Sequence, residues 1–331
     1  MFGNPQDKAK SVSSHQQPQP QPPKRPQRLT MAPYLTPEQL ETFDREGMLC
    51  IPDFLTAEQT QSLLQRSRDL LSQCDLSTHP KTTFKTADKD HIGDKYFFES
   101  ADRVSFFFDT DAFDEAGELV VPLARAINKV GHGLHIHDEA FKEITFDAKV
   151  QQIARDLSYI EPKVLQSMCI FKQPVAGQKL TRNNAVPPHT DATFLFTKPR
   201  QTALGFWFAL EDCSEENGCL KYLPGTHKKY PVTKRFVRST AMNDGGGCEF
   251  EEVAPEQPIE ETEQDYVTVP CKAGSLILIN NSVLHKSENN KSKKSRFAYA
   301  FHAIEGTAEY DDRNWLQVPY EGGSNFSELY V

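Results

Sequence analysis

In the stretch PPHTDATFLF, residues 187–196, a histidine and an aspartate stand two positions apart. Side chains at i and i+2 of an extended segment share a face, so His189 and Asp191 are expected to aim together, with Thr190 turned away. Such a pair is equally a local contact in a surface loop, and two donors alone do not hold a metal. A third donor is expected from His285, in SLILINNSVLHKS, where an apolar strand ends and delivers a polar group to a cavity rim. Two imidazoles and one carboxylate on one face make the facial triad of non-haem Fe(II) oxygenases, with about three positions of an octahedral ion left open.

Arg296 strengthens the metal reading over the loop pair and over a plain surface salt bridge. It opens RFAYAFHAI, in which Ala298 and Ala300 share its face while Phe297, Tyr299 and Phe301 occupy the other. An arginine on a face of alanines has room beside it for a ligand. The polar loop KSENNKSKKS between His285 and Arg296 predicts a hairpin that brings the two together. A guanidinium holds a carboxylate through two parallel hydrogen bonds, each contributing roughly 1.5–3 kcal/mol. That is enough to orient a small diacid such as 2-oxoglutarate, whose 2-oxo acid end would chelate the iron and leave one position for O2.

These residues must be carried by a scaffold. LTPEQLETFDREG predicts a helix capped by Thr36, with Pro37 in its first turn, Gln39 completing a capping box and Gly47 stopping it. MLCIPDFL reads as a short strand, and Thr56 with Gln59 opens a second helix carrying Leu63, Leu64, Leu70 and Leu71 at helical spacing. YFFES and RVSFFFDT read as strands with DEAGE as a turn, and residues 139–157 as the last helix. VLQSMCIFKQ, TALGFWFALED, CLKYLP, GSLILINNSV and RFAYAFHAI are short strands separated by turn residues. Helices followed by many strands predict a mainly β fold, a double-sheet core with helical cover.

The chain has 331 residues, 38% of them hydrophobic, which suffices for one large core. The first 33 residues, rich in Pro and Gln, cannot bury enough surface to order themselves and read as a disordered tail. Residues 34–331 form the folded domain, and a start at Met31 would remove the tail. PKRPQR, Pro23 to Arg28, fits P-x-x-P-x-R and could be taken by an SH3 domain. A net charge of −9 argues against nucleic acid as the main partner. No membrane span, secretory leader or terminal S-K-L is read, and seven scattered cysteines without C-x-x-C fit a reducing compartment, so a cytoplasmic location is expected.

Beyond the triad and Arg296, the chain resembles the phytanoyl-CoA dioxygenase family of Fe(II)/2-oxoglutarate oxygenases over residues 34–331. ENGCLKYLPGTHKK is similar to that family's N-G-x-L-x-x-x-P-G-S-H segment, and LTPEQLETFDREGMLCIPDFLT to its opening; INKVGHGLHIHD, QSMCIFKQP and NWLQ extend the likeness. The resemblance implies a double-stranded β-helix, a cupin-like jelly roll. It implies 2-oxoglutarate contacts at Lys129, Met168, Trp207, Ser287 and Arg296, oxidation of 2-oxoglutarate by O2 to succinate and CO2, and a use for ascorbate. Trp207 alternates with the small Gly205 and Ala209, which fits pocket lining as well as core. Relatives that halogenate replace the acidic ligand with a small residue; Asp191 is present, so hydroxylation of a small or lipid-like substrate, an acyl-CoA among the candidates, is implied.

Other constellations receive blander readings. His132, His135 and His137 do not match common zinc spacings and read as structural or pocket-lining histidines. Asp109, Asp111, Asp114 and Glu115 lack the EF-hand pattern and read as a solvated hairpin end. NKSKK reads as a solvated loop, with a gate for an anionic substrate as the sharper option. Lys228, Lys229, Lys234, Arg235 and Arg238 are candidates for coenzyme A phosphates by charge only. Two alternatives stay open: a β-core binding or scaffold protein that keeps the metal without turnover, and a cupin-like dioxygenase independent of 2-oxoglutarate.

Overall fold

The computed structural model describes residues 1, 32–81, 95–175, 183–239, 247–260 and 262–331. Contacts divide the chain into residues 1–32 and 33–331. The Pro/Gln-rich segment, with its Pro23–Arg28 motif, lies outside the described residues.

Residues 33–331 begin as the local chemistry dictates. Helix α1, Pro37–Glu46, carries a full capping box between Thr36 and Gln39 and ends at Gly47, whose φ of 82° only glycine adopts cheaply. Strand β1, Met48–Ile51, follows, and α2, Ala57–Ser72, opens on a second capping box, Thr56 with Gln59. The aromatic YFFES does not form a strand. Lys95–Glu99 is helix α3, whose Phe97 stacks on Trp315 at 4.7 Å. Aromatic composition favours strands, but Glu99 pairs with Lys95 and with Arg103 at helical spacing, and burial of Phe97 and Phe98 decides the local conformation.

Strand β2, Val104–Phe108, is followed by the DEAGE turn, in which Asp114 Oδ1 accepts from the Ala116 and Glu118 amides. Helix α4 is Leu123–Ala126, β3 is Ile127–His132, and α5 is Leu134–His137. Residues 139–157, expected as one helix, form two: α6, Glu139–Thr145, and α7, Ala148–Asp156. The break falls where Asp147 Oδ1 accepts from the Lys149 amide and caps a new helix.

The strands that follow are β4 Pro162–Lys172, β5 Val186–His189, β6 Thr197–Lys198, β7 Leu204–Ala209, β8 Leu220–Tyr222, β9 Lys234–Arg238 and β10 Cys248–Glu252; then β11 Val267–Val269, β12 Leu276–Asn280, β13 His285–Ser287, β14 Arg296–Glu305, β15 Glu309–Tyr310 and β16 Ser327–Glu328. A major antiparallel sheet runs β1-β12-β7-β14-β4-β3-β2, with β16 added beside β4, and a minor sheet runs β11-β8-β13-β5. The architecture is mainly β with helical cover, as the order of elements predicts: α1, α2, α6 and α7 share one core with the rings of β14, while α3 packs in a separate cluster with Trp315.

Strand β14 is buried along both faces. Phe297, Tyr299 and Phe301 point into the core that also holds Phe141, Val150, Ile153 and Leu63. The Tyr299 ring lies 4.7 Å from Phe141, and its hydroxyl is 2.6 Å from Thr145 Oγ1. Each such ring stabilises the helix-on-sheet contact by about 1.5–3 kcal/mol. Ala298 and Ala300 belong to a second cluster with Met168, Trp207, Ala209 and Ile277. The expected hairpin between His285 and Arg296 does not form. Strand β13 pairs with β5 and β8 in the minor sheet, and β14 with β4 and β7 in the major one. The eight-residue loop between them, residues 288–295, crosses from sheet to sheet, so the two residues meet across a cavity rather than along a ladder.

Candidate active site

His189 ends β5, and His285 starts β13 as its cross-strand partner in an antiparallel register. Their ring centroids are 4.3 Å apart. Directly after His189 the extended Thr190 leads into a single 3-10 turn, Asp191–Thr193, so Asp191 swings back toward the same point. The turn is pinned by the Ala192 amide, which donates to Asn281 O at the end of β12. His189 Nε2 lies 3.4 Å from Asp191 Oδ1, and His285 Nε2 lies 3.7 Å from Oδ2. Donors from the three residues lie within 4.8 Å of one another, the one such group of His, Cys, Asp or Glu among the described residues.

The tautomers follow from the backbone. His189 Nδ1 lies 2.9 Å from Pro187 O, and His285 Nδ1 lies 3.1 Å from Val283 O. A carbonyl only accepts, so each Nδ1 carries the proton and each Nε2 lone pair faces the centre, the arrangement of a metal-binding histidine. Cis donors on an octahedral ion with bonds of ~2.1 Å stand about 3 Å apart, so the observed spacing needs only small adjustment. Burial alone would raise the Asp191 carboxyl; His285, His189 and His302 outweigh it and hold it well below the usual carboxylate range. Burial, with His189 beside it, pushes the His285 imidazole down to about 4. Burial also lowers His189, but Asp191 outweighs it and the net shift is upward.

The group opens into a cavity of about 630 Å³, within the ordinary range of small-molecule sites, ~300–1,000 Å³. All five residues that the resemblance implied line it: Lys129, Met168, Trp207, Ser287 and Arg296. Arg296 is 2% exposed, yet its Nε and Nη1 have no hydrogen-bond partner. Its guanidinium lies 5.2 Å from the Trp207 ring. Trp207 pairs with Ala300, so the arginine side chain leans along the strand over Ala298, which leaves it room. Burial lowers the Arg296 guanidinium from its ordinary value.

Ser287 accepts from Lys172 Nζ at 2.8 Å. Lys172 is the cross-strand partner of Arg296, and burial, reinforced by that arginine, pushes its ammonium well below the usual lysine value. Lys129 Nζ lies 3.0 Å from His132 Nε2. Ser100 Oγ gives its one proton to Phe97 O, so the contact from His132 Nδ1 at 2.8 Å is a donation to Ser100, and His132 Nε2 is left to accept from Lys129. Burial holds Lys129 well below its ordinary value. Met168 pairs with Ala300 on the side opposite Trp207.

The other histidines take the structural role expected of them. His135 bonds Ser167 Oγ at 2.7 Å, burial pushing its imidazole down to about 3, and His137 contacts Asp102 O. His132 both packs and lines the cavity. The acidic stretch needs one correction. Asp114 and Glu115 are exposed, but Asp109 is 2% exposed and accepts from Asn128 Nδ2, because β2 and β3 close over it. In NKSKK the lysines are exposed while Asn290 is buried and ties the loop to Lys172 O and Lys294 O. Among the basic candidates, Lys228 pairs with Asp44, and Arg235 with Glu251 and Asp311, so these charges are already met. Lys234 and Lys229 lie over Phe250 and Tyr230, and Arg238 Nε donates to Trp315 O.

Sequence reasoning missed Lys172, Gln166 and His302. The signal was present in the two-residue period. Gln166, Met168, Ile170 and Lys172 alternate on β4, and Arg296, Ala298, Ala300 and His302 on β14, as opposed pairs, and all of them except Ala298 line the cavity.

The phytanoyl-CoA dioxygenase (PhyH) family model matches residues 43–298. A Caenorhabditis elegans relative, a phytanoyl-CoA dioxygenase domain-containing protein 1 homolog, is 40% identical over 280 residues, 84% of this chain and 94% of the relative. The Rattus norvegicus phytanoyl-CoA dioxygenase domain-containing protein 1 is 39% identical over 302 residues, 90% of this chain and 99% of its own. Among solved structures, EctD from S. alaskensis with 2-oxoglutarate and 5-hydroxyectoine superposes with a TM-score of 0.58 at 17% identity, covering 91% of this chain and 89% of that one. The epimerase SnoN in complex with Fe3+, alpha ketoglutarate and nogalamycin RO gives 0.57 at 16% identity, covering 88% and 97%. These structural likenesses support the fold, the double-stranded β-helix of this enzyme group. The chain belongs to the phytanoyl-CoA dioxygenase family of non-haem iron, 2-oxoglutarate-dependent dioxygenases.

Proposed function

We propose that His189, Asp191 and His285 hold Fe(II), that Arg296 anchors the far carboxylate of 2-oxoglutarate, and that the protein hydroxylates a small molecule admitted to the cavity. One observation carries this reading: a buried guanidinium with unpartnered donors shares a cavity with a converging His-Asp-His set. A buried cation without a partner is costly, and a bound dianion is the natural partner for it. When bound, iron and 2-oxoglutarate supply the oxidising power with O2, 2-oxoglutarate leaving as succinate and CO2.

The chain's own residues bind, orient and exclude water. The carbonyls of Pro187 and Val283 fix which nitrogen each histidine offers. Trp207 flanks the guanidinium, Ala298 and Ala300 keep the space beside it open, and Lys172 holds the Ser287 hydroxyl in place. Ser287, Lys129 and Met168 complete the proposed 2-oxoglutarate contacts. Phe97, Phe194, Phe236 and Trp315 give the cavity an apolar wall where a hydrocarbon portion of a substrate would pack. With Lys228 and Arg235 committed to carboxylates, a coenzyme A thioester gains no support over an unesterified small molecule.

The test is succinate release from 2-oxoglutarate with Fe(II) and ascorbate, first without and then with candidate metabolites. A compound that raises succinate release and is recovered with one added oxygen identifies the substrate. Succinate release that persists at the native rate in His189→Ala would overturn the assignment of the iron ligands.

A further inference from the structure

The inward face of β14 does not stop at Ala300. His302 is the last residue of that face before the strand shifts register against β4. Its Nε2 lies 3.5 Å from Asp191 Oδ2, and its Nδ1 lies 3.3 Å from Nε2 of Gln166, its cross-strand partner. An amide nitrogen only donates, so His302 Nδ1 accepts and the ring proton sits on Nε2, facing the carboxylate. The reverse amide orientation would draw that proton to Nδ1 and turn a lone pair against Asp191, so the acid itself selects the arrangement. His302 is not a fourth member of the donor group, which comprises His189, Asp191 and His285. It touches the acid without joining the centre.

The surroundings keep this contact open. A Cβ at Gly205 would lie 2.9 Å from Asn281 Oδ1 and 3.5 Å from His302 Cδ2. Glycine there lets the His302 ring and Asn281 approach together, and Asn281 is the residue whose carbonyl pins the turn after Asp191. A carboxylate can swing about its last bond and bind through one oxygen or two. A donor held on Oδ2 leaves Oδ1, beside His189 Nε2, for the metal.

We propose that Gln166 and His302 are positioning residues that hold Asp191 in its metal-binding orientation. The proposal rests on the His-Asp-His reading and adds a role outside it. Residues that hydrogen-bond a metal's carboxylate ligand typically govern metal affinity by roughly 10- to 100-fold. The experiment is a titration of the full-length, metal-free protein with Co(II), followed by the visible absorption of the bound ion, in the native chain and in His302→Leu, His302→Gln, Gln166→Leu and His189→Ala. His302→Leu is expected to weaken Co(II) binding by roughly 10- to 100-fold and to change the spectrum, and His302→Gln, which keeps an N–H donor, to recover most of the loss. Gln166→Leu leaves the ring in place, is expected to weaken binding in the same direction, and gives the comparison if His302→Leu does not fold. Native-like Co(II) affinity in His302→Leu, with binding lost in His189→Ala, overturns the positioning role and leaves the triad standing. Equal weakening by His302→Leu and His302→Gln, with metal-free unfolding midpoints unchanged, overturns it as well. Native-like binding in His189→Ala overturns the triad itself.

Discussion

Replacing Arg296 with methionine separates the ligand's share of that residue from the fold's. The substitution keeps an unbranched stem of similar reach beside Trp207 and removes the guanidinium, whose Nε and Nη1 are buried without partners. If 2-oxoglutarate occupies that fork, two charge-assisted bonds of roughly 1.5–3 kcal/mol each are lost, about 3–6 kcal/mol in sum. At about 1.4 kcal/mol per tenfold, the 2-oxoglutarate requirement rises roughly 100- to 10,000-fold. The ligand-free protein responds in the opposite direction. An unpartnered buried charge exchanged for an apolar side chain of similar volume is neutral or stabilising, so its unfolding midpoint stays or rises. The assay is succinate release against 2-oxoglutarate concentration, with thermal unfolding measured with and without the co-substrate. The native chain gains a few degrees from saturating 2-oxoglutarate by mass action, and Arg296→Met does not at the same concentration. An unchanged KM, or a lowered ligand-free midpoint with unchanged KM, refutes the reasoning, since either outcome makes Arg296 a structural group.

Three further outcomes follow. His189→Ala removes a donor whose Nε2 faces the centre, so it abolishes both substrate hydroxylation and uncoupled 2-oxoglutarate decarboxylation, and stripping the native chain with a chelator does the same until Fe(II) is restored; succinate assays check both. Ala298→Leu fills the space over which Arg296 leans toward Trp207 and raises the KM for 2-oxoglutarate roughly 5- to 150-fold, the equivalent of an overpacking cost of about 1–3 kcal/mol, while Co(II) affinity is kept; equal losses of both would mean the core had simply rearranged. His135 is held down to about 3 by burial against about 6.5 unfolded, so below 6.5 the unfolded chain takes a proton that the folded chain refuses, and stability is lost as pH falls toward 3. At pH 5 the loss from this residue is about 2 kcal/mol, and His135→Asn, measured by urea unfolding at pH 7 and 5, shows a shallower fall than the native chain.

Much of this arrangement is written locally in the chain. Both capping boxes and the glycine stop of α1 follow from neighbouring residues, and they form as read. The alternation on β14 correctly separates the ring-bearing face from the alanine face. What failed depended on distant partners. Lys95–Glu99 turns helical because Phe97 finds Trp315, more than 200 residues away, and no local pattern announces that contact. The loop from His285 to Arg296 has the composition of a hairpin, but hydrogen bonding of β13 to β5 and of β14 to β4 draws its two ends into different sheets. Asp109 looks solvated beside Asp111 and Asp114, and becomes buried only when Asn128 on β3 closes against it. His302 was legible in principle, since period two continues from Arg296 through Ala300 to it; a search that stops at the alanines misses it.

The separation of roles between the sheets has an electrostatic consequence. The metal donors sit on β5 and β13 and in the adjoining turn, while Arg296 and Lys172 sit across the cavity on β14 and β4. A divalent ion and a guanidinium placed on one strand would repel at short range in a low-dielectric interior. Set on different sheets, they would stand apart and frame a gap that one small dianion could neutralise from both ends. Asp191 supplies a single negative charge at the metal end, and Arg296 has unpartnered buried donors at the other. A 2-oxo acid lacking the second carboxylate meets the first end only and leaves the guanidinium buried and unpaired. On the proposed reading, discrimination between one carboxylate and two would follow from which strands carry the charges, whatever substrate the apolar wall admits.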